Sequence, residues 1–479
     1  MSLPHLSKSR YLSGLQCERR LWLSVHRPEE GTSPGEAQLQ LFRMGSEVGR
    51  AAHALFPGGV LVEATVADHA AALGQTQLLM ADESVPAIFE AAFEHEGVRI
   101  RIDILERRGG GSSGGRWGMR EVKSSSKLKR AQHLPDLAVQ KWVLDGSGVE
   151  LDSAELVHVN GDFVLGPGEI DWSAYFCRVE LIEELDGTAM DDVAERIGAM
   201  HRTLAAGVAP TREPGSFCKK PHPCHYWEAC TVGKPPSWFV QQTGANAQRK
   251  ARMIEITEAA QPWFSEQLAD QLAAAAPPVW ALDFEAIAPA IPFFEGTQPY
   301  QALTFQWSLH RLAADGEVEH FEYLANGRED PRAGVARALV EVLGRDAAPV
   351  LAYGSYEKQC LTDMAACLPE LVGELEAIIT RLVDLLPIVR GHAYHPDLLG
   401  SFSIKKVAPA FAPGVGYEDL AGVADGMAAW GAFAKIVKGE LSSADEDRLR
   451  GELLLYCGRD TLALLELFRA LSRGLEPSD

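Results

Sequence analysis

Positive charge is the scarcest commodity in this chain. Its 45 Lys and Arg face 66 Asp and Glu, a formal charge of −21, which argues against a protein that coats nucleic acid through a general basic surface. No apolar run approaches the roughly 20 residues that span a bilayer, so no membrane partner is expected. Residues 1–10 hold no apolar signal core, which makes the cytoplasm the expected compartment. A Gly-x4-Gly-Lys-Ser/Thr phosphate loop is missing too, so any unwinding would need a separate helicase partner. Eight cysteines in 479 residues, without an export signal, do not read as a disulfide framework. Internal repeats are absent. The length calls for more than one core, and 46% hydrophobic with 23% charged residues is ordinary for a globular protein.

Acidic motifs organise the second half. Val279-Trp280-Ala281-Leu282 is a short apolar run leading into Asp283-Phe284-Glu285, and residues two apart on a strand share a face. Two carboxylates together in a core are costly unless cations neutralise them. Pro349-Val350-Leu351-Ala352-Tyr353 reads as another strand, and Glu357 then falls in the first turn of the helix that follows, near the strand end where open α/β sheets place their sites. Near the C-terminus, Tyr456 and Asp460 are four apart in a helical stretch and share one helix face. Together they sketch a two-metal phosphodiester site. The set Asp283-x-Glu285, Tyr356-Glu357 and Tyr456-x3-Asp460 resembles the DEDD family of 3′→5′ exonucleases, in the subgroup that uses a tyrosine. The resemblance implies that Asp283, Glu285, Glu357 and Asp460 hold two Mg2+ or Mn2+ ions and that Tyr456 orients the attacking water. Glu357 departs from the family, which usually has aspartate there. Asp384 is a further candidate acid, either behind the ligands or replacing one.

In the first half, Val98-Arg99-Ile100-Arg101-Ile102-Asp103 alternates apolar and polar residues, and Met119-Arg120-Glu121-Val122-Lys123 places Glu121 and Lys123 on one strand face. Asp103, Glu121 and Lys123 can therefore converge, with the carboxylates holding a divalent metal and the lysine polarising water or phosphate. His53 could add a ligand, and Gln140 could contact the scissile region. This pattern is similar to the PD-(D/E)xK nucleases, in the RecB-type branch that includes the CRISPR-associated adaptation nucleases. The resemblance implies catalytic roles for His53, Asp103, Glu121 and Lys123. It departs at Leu144, where the family has a tyrosine four residues after the glutamine. The basic strip from Lys123 to Arg130 reads as a guide for substrate or as a solvated loop.

Cys218, Cys224 and Cys230 are equally spaced, and Cys17 lies far upstream. Four thiolates are what an iron–sulfur cluster requires. The cluster-bearing RecB-type nucleases share this layout of one cysteine before the nuclease core and three after it, which implies a [4Fe-4S] cluster stapling the two ends together. Structural Zn2+, with four thiolates or with His222 or His225 replacing one, is the alternative. Cys177, Cys360, Cys367 and Cys457 read as small buried hydrophobes.

The expected architecture is α/β. It comprises a PD-(D/E)xK restriction-endonuclease-like domain over 1–235, a helical connector over 236–276 and an RNase H-like mixed-sheet exonuclease domain over 277–479. A long helix is expected over 179–206 and a flexible hairpin loop over 107–116. The pairing looks like a bacterial family that fuses two nuclease modules. It implies a metal-dependent nuclease with DNA as partner, working in repair, recombination or defence. An RNA-processing exonuclease and a nucleic-acid-binding scaffold with decayed sites are the alternatives. Gly391-His392-Ala393-Tyr394-His395-Pro396 and Gly400-Ser401-Phe402-Ser403-Ile404-Lys405-Lys406 also fit that family. The second of these segments offers lysines that could meet phosphates.

Overall fold

The computed structural model describes residues 5–65, 67–109, 116–187, 189–420 and 422–474. The protein is mixed α/β and forms two compact units. Unit 1 is Met1–Val232 with Pro289–Tyr300, and unit 2 is Gly233–Ala288 with Gln301–Asp479. Among the described residues no helix is long and apolar enough to cross a membrane.

Unit 1 is built on a seven-stranded sheet of β1 (Leu6–Ser7), β2 (Val60–Leu61), β3 (Ala87–His95), β4 (Val98–Arg107), β5 (Trp117–Lys123), β6 (Leu151–Val159) and β7 (Phe176–Glu180). The order is β2-β3-β4-β5-β6-β7, with β1 parallel to the start of β4. β5 and β6 are parallel, whereas β3–β4, β4–β5 and β6–β7 are antiparallel. The alternation read from β4 is realised: Val98, Ile100, Ile102 and Ile104 are buried while Arg99, Arg101 and Asp103 between them are half-buried. Leu137, Val139 and Val143 of helix Arg130–Gly146 pack in the same core as Ile100 and Ile102.

The helix expected over 179–206 is not one helix. It divides into β7, a short helix Ile182–Asp186 and helix Val193–Ala205. Phe176 to Glu180 alternates in burial as a strand does, and Gly187 follows the short helix as its C-cap. Near the N-terminus two helices, Lys8–Gln16 and Glu18–His26, are separated at Cys17, which is extended at φ −164° and ψ 121°. Most of the expected hairpin loop, residues 110–115, lies outside the described residues.

Unit 2 is built on a five-stranded sheet of β9 (Val279–Ile287), β10 (Leu303–Leu312), β11 (Val318–Leu324), β12 (Val350–Ala352) and β13 (Leu382–Asp384), in the order β11-β10-β9-β12-β13. β9–β10 and β10–β11 are antiparallel, while β12 runs parallel to both β9 and β13. The 31-residue helix Ser443–Arg473 packs on β9 and β10. Its seat is fixed by buried polar contacts: Gln306 Nε2 donates to the Leu453 carbonyl at 2.8 Å, and Thr461 Oγ1 lies 2.8 Å from both Ser308 Oγ and His310 Nδ1. A separate ribbon pairs β8 (Trp263–Phe264) with β14 (Ala393–Tyr394). The segment expected to be a connector is core here, since Met253, Ile256, Leu268 and Leu272 are buried with Leu464, Leu467 and Phe468.

Candidate active centres

In unit 2, Asp283 and Glu285 stand on β9, the central strand. β9 pairs β10 continuously until a bulge at Phe305, directly beside Glu285. Bulges re-aim side chains and are common next to active sites. Asp460 arrives from helix Ser443–Arg473, and the carboxylates of Asp283, Glu285 and Asp460 lie within 4.8 Å of one another. Glu285 and Asp460 are each only 8% exposed. At that distance, and with an effective dielectric of about 20, each pair of charges would repel by about 3.5 kcal/mol. Three charged pairs would total roughly the stability of a whole domain. The group therefore holds protons or takes up cations.

The proton affinities follow. Burial, reinforced by Asp460, pushes Glu285 up to about 8. Burial with Asp460 and Glu285 pushes Asp283 well above the carboxylate range. Glu357 opens helix Tyr356–Cys367 and is 4% exposed. Burial raises it to about 7, and its Oε2 has no hydrogen-bond partner. An orphaned carboxylate oxygen near three further acids is a donor set that suits a divalent cation.

Tyr456 lies 3% exposed beside the triad, its phenol pushed upward by burial and by Glu285. Further contacts were not expected from sequence. The Tyr417 hydroxyl donates to Asp460 Oδ1 at 2.5 Å. Lys405 Nζ sits 4.6 Å over the Tyr456 ring and 5.3 Å over that of Tyr417. Cys457 is buried, as expected, but it is also 3.4 Å from Asp283 Oδ2. Asp384 is not part of the triad. Its Oδ1 accepts from Leu386 N at 2.9 Å and Gly354 N at 2.7 Å, so it caps the helix after β13 and pins the turn that leads to Glu357.

In unit 1, β4 and β5 pair from Arg107 only as far as Ile104 opposite Arg120, and then separate. Asp103 lies at the parting and its Oδ2 accepts from Val122 N at 2.7 Å, replacing a ladder bond. On the other side, Glu90 interrupts the β3 ladder opposite Asp103 with a left-handed φ of 56°. The opening holds Glu121, 1% exposed, with Lys123 Nζ 2.5 Å from its Oε1 and Gln140 Nε2 donating to its Oε2 at 2.8 Å. Asp103, Glu121 and Lys123 thus come together as the spacing implied, and Gln140 joins them from the following helix.

Lys8 and Asp136 also belong to this cluster and were not anticipated. Lys8 Nζ lies 3.0 and 3.2 Å from the two Glu121 oxygens, and Asp136 Oδ2 is 2.5 Å from Lys123 Nζ. Asp136 could have been found, because it precedes Gln140 by one helical turn. Burial works to raise Glu121, but Lys123 and Lys8 outweigh it and hold the carboxyl below its usual range. Burial and Glu121 push Asp103 up to about 7. His53 does not join the cluster visibly: its ring stacks on Phe89 at 3.8 Å and 4°. Among the described residues no trio of acid, histidine or cysteine ligand atoms in unit 1 lies within 4.8 Å. Of the basic strip, Lys123 belongs to the cluster and Arg130 pairs with Glu184.

Cys17, Cys218, Cys224 and Cys230 line one small cavity together with Arg19, Arg20 and Arg212. The extended backbone at Cys17 places its thiol there, and Gln16 Nε2 donates to the carbonyls of Phe217 and His222 at 2.9 Å each, tying the N-terminal helices to the cysteine segment. Burial raises the thiols of Cys224 and Cys230. The remaining cysteines differ from expectation in part. Cys360 is buried, but Cys177 is half-buried, and Cys367 is exposed with its sulfur 2.9 Å from Arg332.

Residues 280–403, which contain Asp283, Glu285, Glu357 and Asp384, match a family described as a domain of unknown function (DUF2779). No curated protein matches the chain.

Proposed function

We propose that the protein is a metal-dependent nuclease of the cytoplasm, with an exonuclease site in unit 2 and a PD-(D/E)xK-type site in unit 1, and with DNA as its substrate. The observation that carries this reading is the trio Asp283, Glu285 and Asp460 within 4.8 Å, the first half-buried and the other two buried, beside a Glu357 oxygen that has no partner. Support for an RNase H-like exonuclease fold comes from the sheet, whose first strand is central with the second and third antiparallel on one side and the fourth and fifth parallel on the other.

Asp283, Glu285, Glu357 and Asp460 would hold divalent cations, which supply the positive charge that activates water and stabilises the leaving oxygen. Tyr456, whose phenol lies beside Glu285 and Asp460, is placed to orient the attacking water through a hydrogen bond. Lys405, held by the Ala424 carbonyl at 2.8 Å, presents a cation where a phosphate would lie. In the hydrolysis a water oxygen bonds to phosphorus, the bond from phosphorus to the 3′ oxygen breaks, and that oxygen takes a proton. The products are a nucleotide with a 5′ phosphate and a shortened strand. In unit 1, Lys123 is placed between Glu121 and Asp136, poised to meet phosphate or water. Its metal would engage Asp103 and Glu121 in competition with Lys8.

The four thiols fit a metal in donor type and charge, with Arg19, Arg20 and Arg212 around an anionic centre. A zinc tetrathiolate has sulfur atoms about 3.8 Å apart, given bonds of about 2.3 Å, and no three of these sulfurs lie even within 4.8 Å. Four thiolates are the donor set of an iron–sulfur cluster. The cavity is only about 20 Å³, so a cluster requires the cysteine segment to move outward. Iron and acid-labile sulfide in anaerobically purified protein support the cluster, and zinc alone refutes it.

The test of function is cleavage of end-labelled single- and double-stranded DNA and RNA with Mn2+ or Mg2+, by wild type, Asp103→Ala and Asp283→Ala. Stepwise loss from the 3′ end that Asp283→Ala alone abolishes is expected. Degradation of RNA but not DNA would replace the polymer in the proposal, and no cleavage by metal-loaded wild type would refute it. If duplex is cut only alongside an added helicase, a partner supplies the single strand.

A further inference from the structure

Unit 2 contains a second place where charge is unbalanced, with the opposite sign. Arg249, Arg252 and Arg390 line one cavity of about 220 Å³ with Trp263, Tyr394 and Phe402. Both glycine-containing segments noted in the sequence contribute, through Gly391 and Phe402. Among the described residues, none of the three arginines forms an ion pair with an acid or donates a side-chain hydrogen bond. In a chain with a 21-charge excess of acid, three guanidiniums left without carboxylates are conspicuous. Arg249 Nε is buried and unpartnered. Burial and the nearby Arg390 lower the Arg249 proton affinity.

The rings fix the arginines. Arg249 Cζ lies 4.7 Å and Arg390 Cζ 5.9 Å from the Phe402 ring, and Arg252 Cζ is 4.8 Å from that of Trp263. A guanidinium stacked on a ring keeps its N–H edge free and its plane set, which suits bidentate capture of phosphate. The N-terminus of helix Ala247–Ala259 adjoins the cavity at Asn246 and adds a favourable dipole. The volume is below the roughly 300–1,000 Å³ of sites that engulf a whole drug-sized ligand, so the cavity takes one phosphate with part of its nucleotide. It also connects to the acid centre, since Tyr353, at the end of β12 and four residues before Glu357, donates to the Phe402 carbonyl at 2.9 Å.

We propose that the Arg249–Arg252–Arg390 cavity is a nucleotide-phosphate subsite that anchors substrate or product of unit 2; the assignment of that role, though not of phosphate binding, rests on the nuclease reading. The probes are fluorescent (dT)12 and unlabelled thymidine 5′-monophosphate, titrated in EDTA against the full chain with wild-type, Arg252→Gln, Arg390→Gln and Arg390→Lys sequences. Both Gln variants change exposed side chains and leave half-buried Arg249 in place. Strand binding should weaken roughly tenfold in each, with the salt dependence falling by about 0.7 per lost contact, and Arg390→Lys should recover part of it. Competition by the mononucleotide identifies a free nucleotide as a ligand, and its failure to compete while strand binding depends on the arginines identifies the backbone. Unchanged affinity and salt slope in both Gln variants overturn the subsite. Mn2+-dependent cleavage measured in parallel separates the two ideas: normal cleavage with arginine-independent binding leaves the nuclease without this subsite, whereas arginine-dependent binding by a protein that cleaves nothing leaves the subsite and removes the nuclease.

Discussion

Replacing Glu285 by glutamine tests the electrostatics of the acid centre without a substrate. In the folded, metal-free protein Glu285 is carried from an ordinary value near 4.5 to about 8 by burial and by Asp460. The folded state therefore binds this proton more tightly than the unfolded chain. Its contribution to stability is fully present below about pH 4.5, declines as pH rises and is lost above about pH 8. The difference corresponds to about 5 kcal/mol. Urea unfolding in EDTA from pH 5 to 9, following the transition of unit 2, should show a steep loss of stability in wild type. In Glu285→Gln that slope should be shallower by several kcal/mol, leaving the variant more stable than wild type at pH 8.5. Saturating Mn2+ at about 100 times its Kd adds about 2.7 kcal/mol, or roughly 5–10 °C in a unit of this size, to wild type but far less to the variant. Equal pH slopes in the two proteins, or equal metal effects, would refute the reasoning.

Tyr456→Phe should slow 3′-end cleavage about 100-fold while leaving Mn2+ binding intact by calorimetry, because in the proposed site the phenol would position water and not ligate. Lys8→Met removes a partner from the buried Glu121 and should destabilise metal-free unit 1 by about 3 kcal/mol; Mn2+ should restore part of this in denaturant titrations, since the vacated place suits a cation. Asp384→Ala should lower unit 2 stability by about 1 kcal/mol through the lost cap with Mn2+ stoichiometry unchanged, whereas a lost equivalent of metal would make Asp384 a ligand. Cys17→Ser should reduce bound iron, read by elemental analysis, and lower the melting temperature of unit 1.

The acid centre was largely legible because its parts are local. Asp283 and Glu285 share a strand face, and Tyr456 and Asp460 share a helix face, so periodicity alone pairs them. Lys405 was legible as a lysine that could meet phosphate, though not its place over Tyr456; Tyr417 was not legible, since it reaches the site from an irregular segment and meets Asp460 across 43 residues. Lys8 likewise meets Glu121 across 113 residues, a pairing no spacing encodes. β13 was hidden by its three residues, too short to break the helical pattern before it. The misplaced helix over 179–206 came from following apolar residues at helical spacing across a strand, with Gly187 as the overlooked stop. Pro135 lies inside helix Arg130–Gly146 and masks the turn just before Asp136, where the Asp136–Gln140 face begins. The arginine cavity had a compositional trace in its glycine-flanked segments, but its counter-charge deficit is visible only once three distant arginines are brought together.

The central claim is that the buried carboxylates of unit 2 exist to hold divalent cations. Mn2+ titrated into the full chain by calorimetry, with Asp283→Asn and Asp103→Asn in parallel, tests it most directly. The account predicts saturable binding that Asp283→Asn abolishes in unit 2 and Asp103→Asn leaves in place. Binding that is the same in wild type and Asp283→Asn would contradict it.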